Sequence, residues 1–103
     1  MNGLADRLLA AVLAEWPDTA VEVKKTQISL RAGYIFACIS MAGKSGVRLT
    51  FSLPYRVGSG RIAQASEPYP MRWTHHVLIK DESQINAEIM GWLNEAREFA
   101  MNK

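Results

Sequence analysis

The chain of 103 residues contains only one cysteine and two histidines. Cys38 alone cannot form an internal disulfide, which fits a reducing compartment. His75 and His76 are neighbours, and neighbouring residues of a strand point to opposite faces, so they cannot ligate one metal together. A zinc site needs about four ligands, more than Cys38 and one histidine provide. We therefore expect no metal site and no cofactor.

The sequence also lacks a long hydrophobic run, since no stretch reaches the ~18 apolar residues needed to span a bilayer. Residues 8–14 are apolar and follow Arg7, as in a short signal peptide. However, Asp6 offsets the charge of Arg7, and residues 15–17 make a poor cleavage region. The same residues form a good amphipathic helix. We expect a cytoplasmic protein with no membrane partner.

The sequence offers few of the motifs that carry catalysis. It has no nucleophile-elbow motif, and residues 21–80 contain only Glu22 and Glu67 as carboxylates for acid–base work. The segment from Gly58 to Arg61 could place backbone N–H groups around a phosphate, but it lacks the Lys-Ser/Thr ending of a P-loop. We favour a mobile hairpin loop there. We expect no catalytic residue, which makes a binding role more plausible than an enzyme.

Charge is unevenly distributed along the chain. Residues 21–80 hold nine lysines and arginines against two glutamates, whereas both ends are acidic. A basic middle can mark an anion-binding surface, and the alternative is an ordinary solvated sheet face. The length and the 49% apolar content predict one globular domain over residues 1–103.

Hydrophobic periodicity predicts a helix at each end of the chain. The apolar stripe of residues 3–16 runs through Leu8 and Val12 to Trp16, with Asn2 as a cap. The stripe of residues 82–101 includes Trp92, and Asp81 with Gln84 forms a capping box. Both tryptophans should lie between helices and sheet. Gly91 in the second helix suggests close packing, because glycine there costs about 1 kcal/mol relative to alanine.

The central part of the sequence predicts strands. Residues 20–31 are extended with a bulge or bend at 24–26, and residues 34–41 are apolar on both faces, so Cys38 should be buried in a central strand. Residues 47–53 and 72–80 alternate between apolar and polar side chains, and residues 61–66 form a short strand. We expect loops at 42–46 and 54–60 and a rigid turn at 67–70.

These elements predict an α+β fold, a two-layer sandwich with both helices on one face of the sheet. The sheet would be an antiparallel meander of four or five strands, because the connections are short. Alternation then places Arg48, Thr50, His76 and Lys80 on the other face, called the open face below.

Aromatic residues and arginines recur together in the basic middle. Arginine provides a planar fork for phosphate or carboxylate, and tyrosine provides a stacking plane. If the strand ends meet, four arginines gather around two tyrosines. The candidate ligand-binding residues, with one histidine of the open face, are Arg48, Tyr55, Arg56, Arg61, Tyr69, Arg72 and His76. The alternative is that the tyrosines pack in turns and the arginines pair with glutamates.

Four segments resemble the domain-of-unknown-function family catalogued under the number 5655, a family of small bacterial domains. They are Lys25-Thr26-Gln27-Ile28-Ser29, Leu53-Pro54-Tyr55-Arg56, residues 67–79 from Glu67-Pro68-Tyr69-Pro70 onward, and residues 90–96 from Met90-Gly91-Trp92 onward. The resemblance implies an α+β fold and no established activity or catalytic residue. Relatives can be joined to nuclease-like or nucleic-acid-related domains, which favours a binding role.

The sequence therefore predicts a non-enzymatic binding module. Its partner would be nucleic acid or an anionic, nucleotide-like small molecule held on the open face. The alternative is a protein-interaction or homodimerisation domain that uses an edge strand or the apolar part of the sheet.

Overall fold

The computed structural model describes residues 3–43 and 46–102. Within them lie helix α1 (Gly3–Glu15), six strands, a short 3₁₀ turn (Glu82–Gln84) and helix α2 (Ala87–Met101). The strands are β1 (Ala20–Val23), β2 (Gln27–Ala32), β3 (Tyr34–Ala42), β4 (Gly46–Leu53), β5 (Ile62–Tyr69) and β6 (Arg72–Ile79). The proposed Asn2 cap and residues 44–45 of the predicted loop lie outside the described residues.

The six strands form one antiparallel sheet in the order β1-β2-β3-β4-β6-β5. The expected simple meander is therefore wrong at one edge. The chain leaves β4, passes β6 along residues 54–61 and returns as the edge strand β5, so that β6 lies between β4 and β5.

The expected number of four or five strands is also wrong, because residues 20–31 form two strands. The change of apolar phase across residues 24–26 marks a reversal of the chain and not a bend. Val21 pairs with Leu30 and Val23 with Ile28, and the N–H of Lys24 donates to the carbonyl of Gln27. Cross-strand partners share a face, so a hairpin explains why odd positions of β1 and even positions of β2 are apolar together.

Both helices share one hydrophobic core with the sheet. Leu8 and Val12 of α1 and Leu93 of α2 are fully buried in the same cluster as Leu49 and Ile79 of the sheet. Trp92 is 8% exposed and stacks on Phe51, with ring centroids 5.7 Å apart, as its place on the apolar stripe predicted. Trp16 is partly buried and meets Phe36 edge-on.

The second helix begins later than its periodicity predicted. Asp81 and Gln84 do form a capping box, but it caps the 3₁₀ turn. The long helix α2 has its own cap, Asn86, whose side chain accepts from the N–H of Ile89. The close packing expected at Gly91 is also wrong, because this residue is exposed and an added Cβ would meet nothing within 4 Å.

The rigid turn expected at residues 67–70 is shorter than predicted. Strand β5 continues to Tyr69, and the chain turns through Pro70 and Met71, whose φ is 60°. The N–H of Met71 donates to the side chain of Glu67, which ties the turn to the end of β5.

Candidate functional site

The open face of the sheet carries one polar row that crosses all six strands. Each residue of the row is the cross-strand partner of the next, so their side chains point to the same side. The row, from the β1 edge to the β5 edge, is Glu22, Ser29, Cys38, Thr50, His76 and Gln64.

Two groups of hydrogen bonds organise the centre of this row. Gln27 donates from Nε2 to the hydroxyl of Ser29 at 3.4 Å and to the sulfur of Cys38 at 3.8 Å. Thr50 Oγ1 and His76 Nδ1 lie 2.9 Å apart in a second hydrogen bond. The expectation that Cys38 is buried is wrong, since this residue is half-buried on the open face.

Four of the predicted ligand-binding residues lie on this face. Arg48 is exposed and lies opposite Leu78 on β6, and these two residues are two positions along their strands from Thr50 and His76 of the row. Arg72 and Tyr69 are cross-strand partners at the tip of the β5–β6 hairpin, and Tyr69 is 65% exposed. Six residues of extended strand separate Arg72 from Leu78, so Arg48 and Arg72 stand roughly 20 Å apart along the sheet.

The electrostatics of the open face come mainly from arginine. Partial burial lowers the pKa of His76, and the nearby positive charge of Arg48 lowers it further, so the imidazole is neutral at pH 7. The charge of Arg31 is balanced by Glu22, which accepts from its Nε at 2.9 Å. Among the strand residues that the structure describes, carboxylates are limited to Glu22 and Glu67.

The other three predicted residues lie elsewhere. Tyr55 donates to the carboxylate of Glu95 on α2, and this hydrogen bond, with partial burial, raises the pKa of the phenol to about 12. Arg56 stacks over the ring of Trp73 at 5.9 Å. Arg61 binds the start of α2, donating to Asn86, Glu88 and the carbonyl of Gln84. The structure therefore does not gather the four arginines around Tyr55 and Tyr69.

The loop from Gly58 to Arg61 uses part of its backbone internally. The N–H of Arg61 donates to the hydroxyl of Ser59, and the N–H of Ile62 donates to the Ser59 carbonyl. These donors stabilise the turn, so they do not point together at an external phosphate.

The two histidines have different roles. His75 is fully buried on the helix side, stacks on Phe51 at 5.1 Å and accepts from the N–H of Val57 through Nε2. One histidine in the core and one on the solvent side is what strand alternation predicted. Among the described residues, no three histidine, cysteine, aspartate or glutamate side chains are grouped to hold a metal ion.

Sequence reasoning missed part of the row. Ser29 and Cys38 of the row, and Gln27 that donates to them, did not appear among the candidates because the register of β2 against β3 was unknown. The phase of the alternation in β2 was the available signal: if Ile28 and Leu30 face the core, Ser29 faces the other way.

Within residues 3–43 and 46–102, neither helix has the length and apolar character that a membrane crossing requires.

No curated protein and no solved structure matches the chain. The model of one family, described as a domain of unknown function (DUF5655), matches residues 3–100. This match spans nearly all of the fold described above, including both helices and all six strands. The chain therefore belongs to the DUF5655 family.

Proposed function

We propose that this protein is a non-enzymatic binding module that holds single-stranded nucleic acid along its open face. The observation that carries the proposal is the placement of Arg48 and Arg72 on one uncovered sheet face, with neutral polar residues between them. Those intervening residues of β4 and β6 are Thr50, Ser52, Thr74 and His76.

The spacing of the arginines favours an extended ligand. One phosphate cannot contact two guanidinium groups roughly 20 Å apart, whereas successive phosphates of a strand can. Serine and threonine hydroxyls between them are suitable donors to phosphate and sugar oxygens. The exposed ring of Tyr69, beside Arg72, supplies a surface on which a base can stack.

The arrangement on the open face does not favour catalysis. A nucleophilic cysteine needs a base within hydrogen-bond distance. Cys38 lies on β3 and His76 on β6, with β4 between them, so their backbones are roughly 10 Å apart. The nearest polar partner of His76 is the hydroxyl of Thr50. We therefore assign binding and not chemistry to this row.

The test is fluorescence anisotropy with a labelled 12-nucleotide oligothymidine at low salt. We expect saturable binding that Arg48→Gln and Arg72→Gln each weaken several-fold. Arg7→Gln is the matched control, because it removes one positive charge from α1, on the helix layer. No binding by the unmodified protein would overturn the proposal, and so would equal losses in Arg7→Gln and Arg48→Gln.

A second candidate, homodimerisation, is favoured by one observation. Strand β5 is an eight-residue edge strand whose side chains are mostly exposed, so its outer backbone groups can pair with another strand. Pairing of β5 with β5 of a second copy would join two sheets. Sedimentation across a hundredfold range of concentration would detect the dimer, and a constant monomer mass would exclude it.

A further inference from the structure

A cleft of about 430 Å³ lies at the β1–β2 edge of the sheet, next to the Glu22 end of the open-face row. The C-terminal part of α2 forms one wall, and the β2–β3 turn and the start of β1 form the other. Two arginines line it, Arg31 of β2 and Arg97 of α2. The volume lies within the range of small-molecule sites, roughly 300–1,000 Å³.

Arg97 is held in place before any ligand arrives. Its side chain is only 14% exposed, and its guanidinium lies over the ring of Trp16 at 5.9 Å. Nη2 donates to both carboxylate oxygens of Asp18, at 3.0 and 3.1 Å. Nε is buried and has no hydrogen-bond partner among the described residues. Because Nε is enclosed, the terminal nitrogens of the guanidinium are the donors that an oxyanion in the cleft could reach.

Arg31 lies on the opposite wall of the cleft, and its guanidinium group has donor capacity that its protein partners do not use. Its Nε donates to Glu22 at 2.9 Å, and one terminal nitrogen reaches the carbonyl of Gly33 at 3.5 Å, near the limit of a hydrogen bond. The other terminal nitrogen makes no hydrogen bond to the part of the chain that the structure describes. Two planar donors that converge on one cleft suit a carboxylate or a phosphate.

Each arginine of the cleft already has one carboxylate partner. Asp18 pairs with Arg97 and Glu22 pairs with Arg31, and the two acidic side chains are 76% and 40% exposed to solvent. An oxyanion would therefore be bound by the guanidinium nitrogens that these pairs leave without an acceptor, and not by a net positive charge of the lining.

The rest of the wall is apolar and built from small side chains. Alanines contribute much of it, which leaves space next to the arginines for a non-polar group. The partly exposed side chains of Tyr34 and Met101 border that space, and the alanines are Ala20, Ala32 and Ala100. The ligand should therefore carry an aromatic or aliphatic part beside its charged group.

We infer that this cleft is a binding site for a small organic oxyanion, a carboxylate or phosphate attached to an apolar group. The arginines bind the oxyanion, and Tyr34, Met101 and the alanines contact the apolar group. This site is separate from the proposed nucleic-acid surface, since it shares none of Arg48, Tyr69, Arg72 and His76.

The test is a titration of the ¹⁵N-labelled protein followed by NMR. Benzoate and phenyl phosphate are the oxyanion probes, and benzamide and phenol are their neutral counterparts. We expect both oxyanions to shift amides of residues 18–20, 31–34 and 97–101 saturably, and the neutral probes to bind at least tenfold more weakly. The stronger of the two oxyanions identifies the preferred charged group.

Two variants test the assigned roles. Arg31→Gln should raise the dissociation constant of the better probe about tenfold, because it removes one charged donor. Ala20→Leu keeps every charge and fills the cleft, so it should abolish binding without changing the melting temperature. Arg7→Gln is the control and should leave the probe affinity unchanged.

The inference fails if benzamide binds as well as benzoate, if neither oxyanion produces saturable shifts, or if Arg31→Gln leaves the affinity unchanged. Because the shifts are mapped residue by residue, oxyanion binding on β4 and β6 alone would contradict this site while supporting the open face. Failure of the oligothymidine to bind would leave the cleft result unaffected.

Discussion

His75 and His76 occupy consecutive positions of β6 but opposite environments. The ring of His75 is enclosed by the core, and because its Nε2 accepts from Val57, the neutral ring carries its proton on Nδ1. Burial lowers the pKa of His75 from the usual 6.5, since the core disfavours the charged form. His75 is therefore a structural residue whose protonation opposes folding.

This burial predicts that the protein loses stability as the pH falls. Above pH 6.5, His75 is neutral in both states and contributes no pH dependence. As the pH falls below 6.5, the unfolded chain binds a proton that the folded state resists, so the free energy of unfolding decreases. The slope from one histidine cannot exceed about 1.4 kcal/mol per pH unit. Urea unfolding at pH 7.5, 6.5 and 5.5 measures it.

His76 must be separated from this effect because its pKa is also lowered, by partial burial and by Arg48. The variant His76→Gln removes that contribution and leaves His75 in place. The decrease should persist in this variant. A free energy of unfolding that stays constant or increases from pH 7.5 to 5.5 would contradict the assignment of His75 to the core.

At the scale of elements, the start of α2 depends on Arg61. Its side chain, 25% exposed, donates to Asn86, Glu88 and the carbonyl of Gln84, and so joins the turn before β5 to the beginning of the helix. Asn86 is also the N-cap, so Arg61 positions the residue that satisfies the first turn. This structural role differs from the anion contact that the sequence suggested.

We expect Arg61→Gln to lower the free energy of unfolding by about 1–2 kcal/mol, because three acceptors near the helix start lose a charged donor. Arg7→Gln breaks an ion pair with Glu82 in which both side chains are mostly exposed. This variant should change the free energy of unfolding by less than about 0.5 kcal/mol. Chemical denaturation of both variants gives the comparison. Equal changes in the free energy of unfolding would show that the contacts of Arg61 contribute no more than an ordinary surface ion pair.

Two glycines in regular elements should respond in opposite ways to alanine. An added Cβ at Gly91 of α2 would meet nothing within 4 Å, so Gly91→Ala should stabilise the protein by about 0.5–1 kcal/mol through helix propensity. Gly46 begins β4, where an added Cβ would lie 2.8 Å from the carbonyl oxygen of Ala42. Gly46→Ala should therefore destabilise it by about 1–3 kcal/mol. Thermal melting of the two variants checks both signs, and a stabilising Gly46→Ala would contradict the close approach.

Periodicity predicted most elements because each apolar stripe reflects burial against the same core. It could not predict that residues 24–26 form a hairpin, since a bend and a reversal produce the same change of phase. It also could not place β6 between β4 and β5, because pairing over the 54–61 connection is not a local property. The candidate site was predicted only in part because it too depends on strand pairing. Four of its residues share the open face, whereas Tyr55, Arg56 and Arg61 contact other elements.

At the scale of the whole molecule, the two layers differ in charge. The net charge of +2 hides this difference, because the basic middle of the chain folds as the sheet and the acidic ends fold as the helices. The strands carry Arg31, Arg48 and Arg72 against Glu22 and Glu67, whereas α1 and α2 carry Arg7 and Arg97 against Asp6, Glu15, Glu88, Glu95 and Glu98.

This separation of charge determines how strongly salt should weaken the proposed binding of single-stranded nucleic acid to the open face. Arg31 is neutralised by Glu22, so Arg48 and Arg72 remain to contact phosphates. Each phosphate contact contributes a slope of about −0.7 to the logarithm of affinity against the logarithm of salt, and two contacts give about −1.4. Arg48→Gln should reduce the slope to about −0.7, and Arg7→Gln should leave it unchanged. Anisotropy titrations from low to moderate salt measure it. A slope steeper than about −3 would mean that charges outside the open face, such as Lys24 and Lys25 at the β1–β2 turn, carry most of the binding.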